Sequence, residues 1–209
     1  MDPAPPHSTA PEPPPASGWP GRALGVVRAI DAVGRTVWKL VLWLTLAMVL
    51  VGTYNALSRY FETHFEARLA SNAWIELAWY LFSLVFLLAA PWALRIGAHV
   101  RVDVLYGRVS ARTKRWIDLG GALLFTIPFS AFALFIALPA VQRSVAISET
   151  SPDPGGLARW PIKLVIPIAF GLLLAAAIAE ALRHAVWLFG SDADRTRIET
   201  SDRSAGVKD

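Results

Sequence analysis

The sequence predicts an all-α integral membrane protein: four transmembrane helices, N-in/C-in, with short amphipathic interfacial helices. Three observations predict it. Of 209 residues, 55% are hydrophobic, more than a soluble domain of this size leaves room for. The apolar residues gather into four runs, each long enough, at about 1.5 Å of rise per residue, to cross a bilayer core of about 30 Å. The run from Trp74 to Leu94 passes straight into a basic turn. That turn carries Arg95, Arg101, Arg108, Arg112, Lys114 and Arg115 against one acid, Asp103. Lys and Arg in such loops are retained on the cytoplasmic side.

Taken in order, residues 1–21 form a tail. Residues 1–20 hold eight of the fifteen prolines and few apolar side chains, a composition that builds neither helix nor sheet. A membrane domain then occupies residues 22–189. It opens with Val26, Val27, Ile30, Val33 and Val37 at helical spacing, opposite Arg28, Asp31 and Arg35. This is either an amphipathic helix in the interface or a helical extension of the first span. The spans are expected at about 37–57, 74–94, 117–141 and 160–182.

Each span has local support. Trp38, Lys39 and Trp43 suit one interface, and Tyr54, Arg59 and Tyr60 the other. Gly52, Thr53 and Asn55 suit contact with another helix. Glu76 lies just inside the second span, and Pro91 near its exit. The third span starts beside Asp118 and contains Pro128 and Pro139. A turn-rich loop, 142–159, leads to Trp160 and Pro161, with Pro161 in the first turn of the fourth span and Pro167 further along. Residues 190–209 read as a charged, disordered tail. Counted over residues 22–39, the basic turn and Arg183, Arg195 and Arg197, basic residues number thirteen on the predicted inside against five on the outside, which puts both termini in the cytoplasm.

The chemistry of the spans is mostly a chemistry of absence. Their deep thirds lack Asp, Glu, Lys, Arg and His, which transport routes commonly place near the midplane. No cysteine is present, so thiol redox and Fe–S centres are excluded. The histidines fall at 7, 64, 99 and 184, none mid-span, so neither a bis-histidine haem nor a metal site is expected, and no cofactor is implied. No nucleophile–base pair, phosphate loop or carboxylate pair points to an enzyme. The modest net charge of +4, gathered beside apolar runs, fits anionic lipid rather than nucleic acid. Glu76 reads as a snorkelling carboxylate, or as the partner of a cation on another subunit. His99, beside Arg95, Arg101 and Asp103, reads as a loop histidine fixing the turn, or as a proton or anion site.

Three motifs carry a family resemblance over about residues 37–189. The segment Arg95-Ile96-Gly97-Ala98-His99-Val100-Arg101-Val102-Asp103 resembles the turn after the second span in the small, DctQ-like membrane subunit of TRAP (tripartite ATP-independent periplasmic) transporters. Trp74-Ile75-Glu76 resembles that family's acidic start of the second span, although the common second acid is here Leu77. Pro161 and Pro167 resemble its spaced prolines in the fourth span.

The resemblance implies an accessory subunit of the bacterial inner membrane. A periplasmic binding protein would deliver an organic acid, and a large elevator-type permease subunit would carry it with sodium. The small subunit would flank the static part of the large one and hold no transport site. Glu76, Arg95, Gly97, His99, Asp103, Pro161 and Pro167 are then structural or subunit-interface candidates. Two other classes compete: a self-sufficient transporter or channel working as an oligomer, and a membrane enzyme or electron carrier.

Overall fold

The computed structural model describes residues 18–65, 70–98 and 109–206. Among them the regular structure is helical, with one isolated antiparallel bridge between Thr150 and Ala158. Four helical rods among the described residues are long and apolar enough to cross a membrane.

The first rod, α1, is a single helix of 48 residues, Gly18–Phe65. Its one proline, Pro20, sits in the first turn, where a missing N–H costs nothing. The hydroxyls of Thr36, Thr45 and Thr63 donate to carbonyls four residues back, so polar groups are satisfied within the helix. A helix this long reaches about 72 Å, over twice the hydrocarbon core. The segment 22–36 is therefore the extension of the first span, not a separate interfacial helix. The helix also begins earlier than the expected end of the tail at residue 21, and it continues through residues 58–65, past the expected end of the first span at 57.

Helix α2, Asn72–Arg95, is capped by Ser71, whose hydroxyl accepts from the Ala73 amide at 3.3 Å. It ends in a Schellman arrangement: Ala98 N–H donates to the Ala93 carbonyl and Gly97 N–H to that of Leu94. The left-handed φ of Gly97, +62°, is what that arrangement requires at this position. Glycine is thus the residue that turns the chain out of the membrane after the second span.

The third rod is continuous from residue 111 to residue 146. It consists of α3 (Ala111–Gly121), a π turn (Ala122–Thr126) and α4 (Ile127–Ala146). Pro128 explains the wide turn. It cannot donate to the Leu124 carbonyl and would clash with it, and the Ile127 amide bonds to Ala122 instead. The rod extends beyond the expected 117–141 at both ends.

Helix α5, Trp160–Phe189, is the central post. Its buried positions are largely small: Ala169, Ala176, Ala177, Ala179 and Ala181. Small side chains let neighbouring helices approach closely in a membrane, where burial supplies little net drive. Helices α1 and α2 pack on one side of it and the third rod on another. Around the post, Val41, Leu88 and Ala169 form one core, and Leu119, Ala122, Ala181 and Leu188 another. Outward stand Trp43, Phe86, Leu124, Phe125 and Phe135, the apolar exterior that a bilayer solvates.

The C-terminal region corrects the expectation of a disordered tail. Residues 192–205 form a helix, α6 (Asp192–Ala205), opened by a capping box of Ser191 and Asp194 and closed by Gly206 at φ +75°. Its buried residues are Asp194, Ile198 and Asp202, four apart along one face. Ile198 packs on Ala23 and Val186.

Candidate functional site

Two polar assemblies hold the ends of the bundle, and among the described residues the middle of the spans between them carries no Asp, Glu, Lys, Arg or His. At the end where α2 stops and α6 docks, five helices contribute to one ionic network. Asp31 of α1 accepts from Arg95 Nε at 3.2 Å and from Arg183 at 2.9 and 3.1 Å. Asp202 of α6 accepts from Arg95 at 3.0 Å through one oxygen and from Arg115 of α3 at 3.2 Å through the other. Arg183 Nε lies 3.8 Å from Asp202, and its other arm donates to Glu180 one turn earlier. His184 stands 3.4 Å from Arg115 and 3.7 Å from Glu180. Ser201 accepts from Arg95 at 3.5 Å.

The Arg183 side chain is 2% exposed and that of Arg95 6%. Charges this dry persist only when paired. The tally closes: Arg95, Arg115 and Arg183 against Asp31, Glu180 and Asp202. Beside the network a cleft of ≈ 220 Å³ runs between α1, α2 and α5, walled by residues such as Val37, Leu88 and Leu172 and ending on Asp31, Arg95 and Glu180.

At the other end the loop between α4 and α5 folds back onto the start of α2. Glu76 is 2% exposed and accepts from the Ser151 hydroxyl and the Leu157 amide. Tyr80, one turn deeper, donates to the Ala158 carbonyl at 3.3 Å, and Asn72 to that of Pro154 at 3.0 Å. Within the loop, Ser151 N–H donates to Leu157 and Arg159 N–H to Glu149, at 3.0 and 2.8 Å. A Cβ on Gly156 would lie 2.5 Å from that of Ser151 and 2.8 Å from a Glu76 oxygen, so only glycine fits there. Glu149 accepts from Lys163 and, at 2.6 Å, from the Ser144 hydroxyl. These two bonds, the lysine's first, hold its carboxyl below the ordinary 4.5.

The candidates named from sequence therefore separate. Arg95 joins the five-helix ionic network and Gly97 makes the adjacent turn. Glu76 is buried rather than snorkelling, and it binds a loop of its own chain. Pro161 occupies the first turn of α5 and Pro167 its interior. His99 and Asp103 lie outside the described residues. Sequence reasoning missed Asp31, Asp202 and Glu149 as bonding partners. Asp31 had one signal, a lone acid between Arg28 and Arg35. Asp202 sits 107 positions from Arg95, and no local pattern joins them. Among the described residues no cluster of His, Cys, Asp and Glu could hold a metal.

Comparison with known proteins bears on this geometry. The family described as "Tripartite ATP-independent periplasmic transporters, DctQ component" matches residues 48–186. The isethionate TRAP transporter permease protein DctMQ of Oleidesulfovibrio alaskensis (strain ATCC BAA-1058 / DSM 17464 / G20) is 28% identical over 138 residues, 65% of this chain and 21% of that protein. The chain thus spans about a fifth of the length of that relative. No solved structure matches.

Proposed function

The chain belongs to the DctQ family of TRAP transporters, and on that premise we propose that it is the accessory small permease subunit of a sodium-driven importer of an organic acid. In this reading a large elevator-type subunit moves the substrate, and a periplasmic binding protein delivers it. The observation that carries the division of labour is the empty middle of the spans. Moving an anion or sodium through hydrocarbon without ligands costs several kcal/mol at least, about tens by idealised Born figures. Among the described residues, the buried ionic groups gather toward the two ends of the bundle, and most are paired with one another.

The relative's name joins DctM to DctQ, and this chain matches only 21% of its length. That supports a larger permease as the natural partner. The basic count supports cytoplasmic termini, with the ionic network at the inner surface and the Glu76 loop outside. Arg95, His99 and Asp103 then serve to close and hold the inner turn rather than to touch substrate. Reporter fusions at Gly155 and Arg108 test the orientation: the first should read periplasmic and the second cytoplasmic.

The decisive experiment is reconstitution into proteoliposomes with a sodium gradient. Labelled acids are offered, isethionate first, with each component omitted in turn. Uptake is expected only when this chain, the large permease and the binding protein are all present. Sodium-driven uptake by this chain alone would overturn the reading.

A further inference from the structure

Helix α6 is fastened at the inner network by an acid whose place another anion could take. Asp202 offers two oxygens, one to Arg95 at 3.0 Å and the other to Arg115 at 3.2 Å, with Arg183 at 3.8 Å. These three arginines come from three different rods. A phosphodiester has the same charge as a carboxylate and likewise presents two terminal oxygens, a geometry guanidinium groups bind well. We propose that Arg95, Arg115 and Arg183 form an anion site in which Asp202 stands in for the phosphate of an anionic lipid headgroup, so that α6 docking and lipid binding exclude each other.

Three further observations support the lipid. The first is depth. Arg95 is the last residue of a membrane-crossing helix, and Arg115 lies 5.5 Å over the Trp187 ring, with Trp116 packed on Phe189 nearby. Tryptophans of this kind mark the headgroup level. The second is charge. Without Asp202 the network keeps three arginines against Asp31 and Glu180, and the surface around it exposes Arg28, Arg35, Lys39 and Arg112. An anionic headgroup restores the balance and is attracted by the collar.

The third is the modest hold on α6. Apart from Asp202 it buries one apolar side chain, Ile198. Its other ties are the Trp187 indole on Glu199 at 3.2 Å, Arg195 on the Trp187 carbonyl at 3.0 Å and over the Trp187 ring at 5.5 Å, and a long Ser201–Arg95 bond of 3.5 Å, all near its exposed faces or on Arg95 itself. Helix α6 also lies outside residues 48–186, whereas all three arginines lie within them. The arginines thus belong to the segment matched by the family, and the acid that covers them does not.

The test uses the full chain in phosphatidylcholine nanodiscs, with and without phosphatidylglycerol. Retained lipid is counted by native mass spectrometry, and the exposure of residues 192–205 by hydrogen exchange. Asp202→Asn should raise phosphatidylglycerol retention about five-fold, the weight of one charge near a membrane surface. Arg115→Gln should lower it. Asp192→Asn, the same charge change at a side chain 97% exposed on the same helix, should leave it unchanged. In the wild-type chain, phosphatidylglycerol should speed exchange in 192–205, and soluble glycerol phosphate should not. The proposal falls if Asp202→Asn leaves retention unchanged or matches Asp192→Asn. It falls equally if phosphatidylglycerol leaves α6 exchange unaltered, or if soluble phosphate alone releases the helix. Should Asp202→Asn fail to fold, the Arg115→Gln and wild-type arms decide the matter.

Discussion

Neutralising Asp31 should destabilise the bundle, and neutralising Arg183 alongside it should restore part of the loss. Asp31 joins α1 to α2 and α5 through contacts of 2.9–3.2 Å. Asp31→Asn leaves three arginines against two acids, and Arg183→Met leaves two against three. Breaking a buried pair from one side costs about 3–5 kcal/mol, because the partner stays buried and unmatched. Asp31 retains 14% exposure, so about 3 kcal/mol is expected for each single change. The double variant is balanced again, two against two. Its loss should be about 4 kcal/mol rather than the additive 6, a coupling of about 2 kcal/mol, within the range for groups in one network. The assay is reversible unfolding in mixed micelles, titrated with dodecyl sulfate and followed by circular dichroism. If the two single losses add within about 0.5 kcal/mol, the network is screened by water and the argument from dry charge is wrong.

Three other outcomes follow from the same geometry. Gly156→Ala would place a Cβ 2.5 Å from Ser151, so hydrogen exchange across residues 150–158 should rise while the spans stay protected. The Glu149 carboxyl, held below 4.5 by its bonds from Lys163 and Ser144, contributes stability that is complete above the unfolded value. That contribution is lost as pH falls through the lower folded value, so proteolysis at Arg159 should accelerate only in acid, and in Glu149→Gln at neutral pH as well. Ile198→Ala should cost about 2 kcal/mol of docking, raising exchange in residues 192–205 about thirty-fold without loosening α5.

The four spans were legible because length and apolar composition decide membrane insertion residue by residue, with no need of partners. Gly97 was legible as part of a motif, and the helix end explains it: glycine takes a left-handed turn at no steric cost. Helix boundaries were read too short. Polar residues past the expected end of the first span, such as Arg59 and Glu62, fall outside a hydropathy window, but their backbone continues the helix unbroken. Helix α6 was missed because its composition is polar all round, and a single buried Ile198 leaves no periodic trace. Its local signal was the Ser191–Asp194 box, three residues apart. The ionic partners were invisible for a different reason. Asp31, Arg95, Arg183 and Asp202 meet only after α1, α2, α5 and α6 have packed, so their pairing is a property of the fold.

The π turn in the third rod sets a phase. Each residue of an α-helix advances the side chains by about 100°, so one added position rotates everything beyond it by that angle. As it stands, Ser130 and Ser144 are turned inward, while Phe129, Phe132 and Phe135 face out. Rewinding Ala122–Thr126 into a regular α turn with every residue kept would swing the serines toward hydrocarbon and aromatic rings toward the central post. That rewinding would change one turn, yet it would mis-set the whole of the rod beyond it. Aligning this chain with a relative that lacks the wide turn therefore requires a one-residue gap there. An ungapped alignment would equate lipid-facing positions in one protein with buried ones in the other.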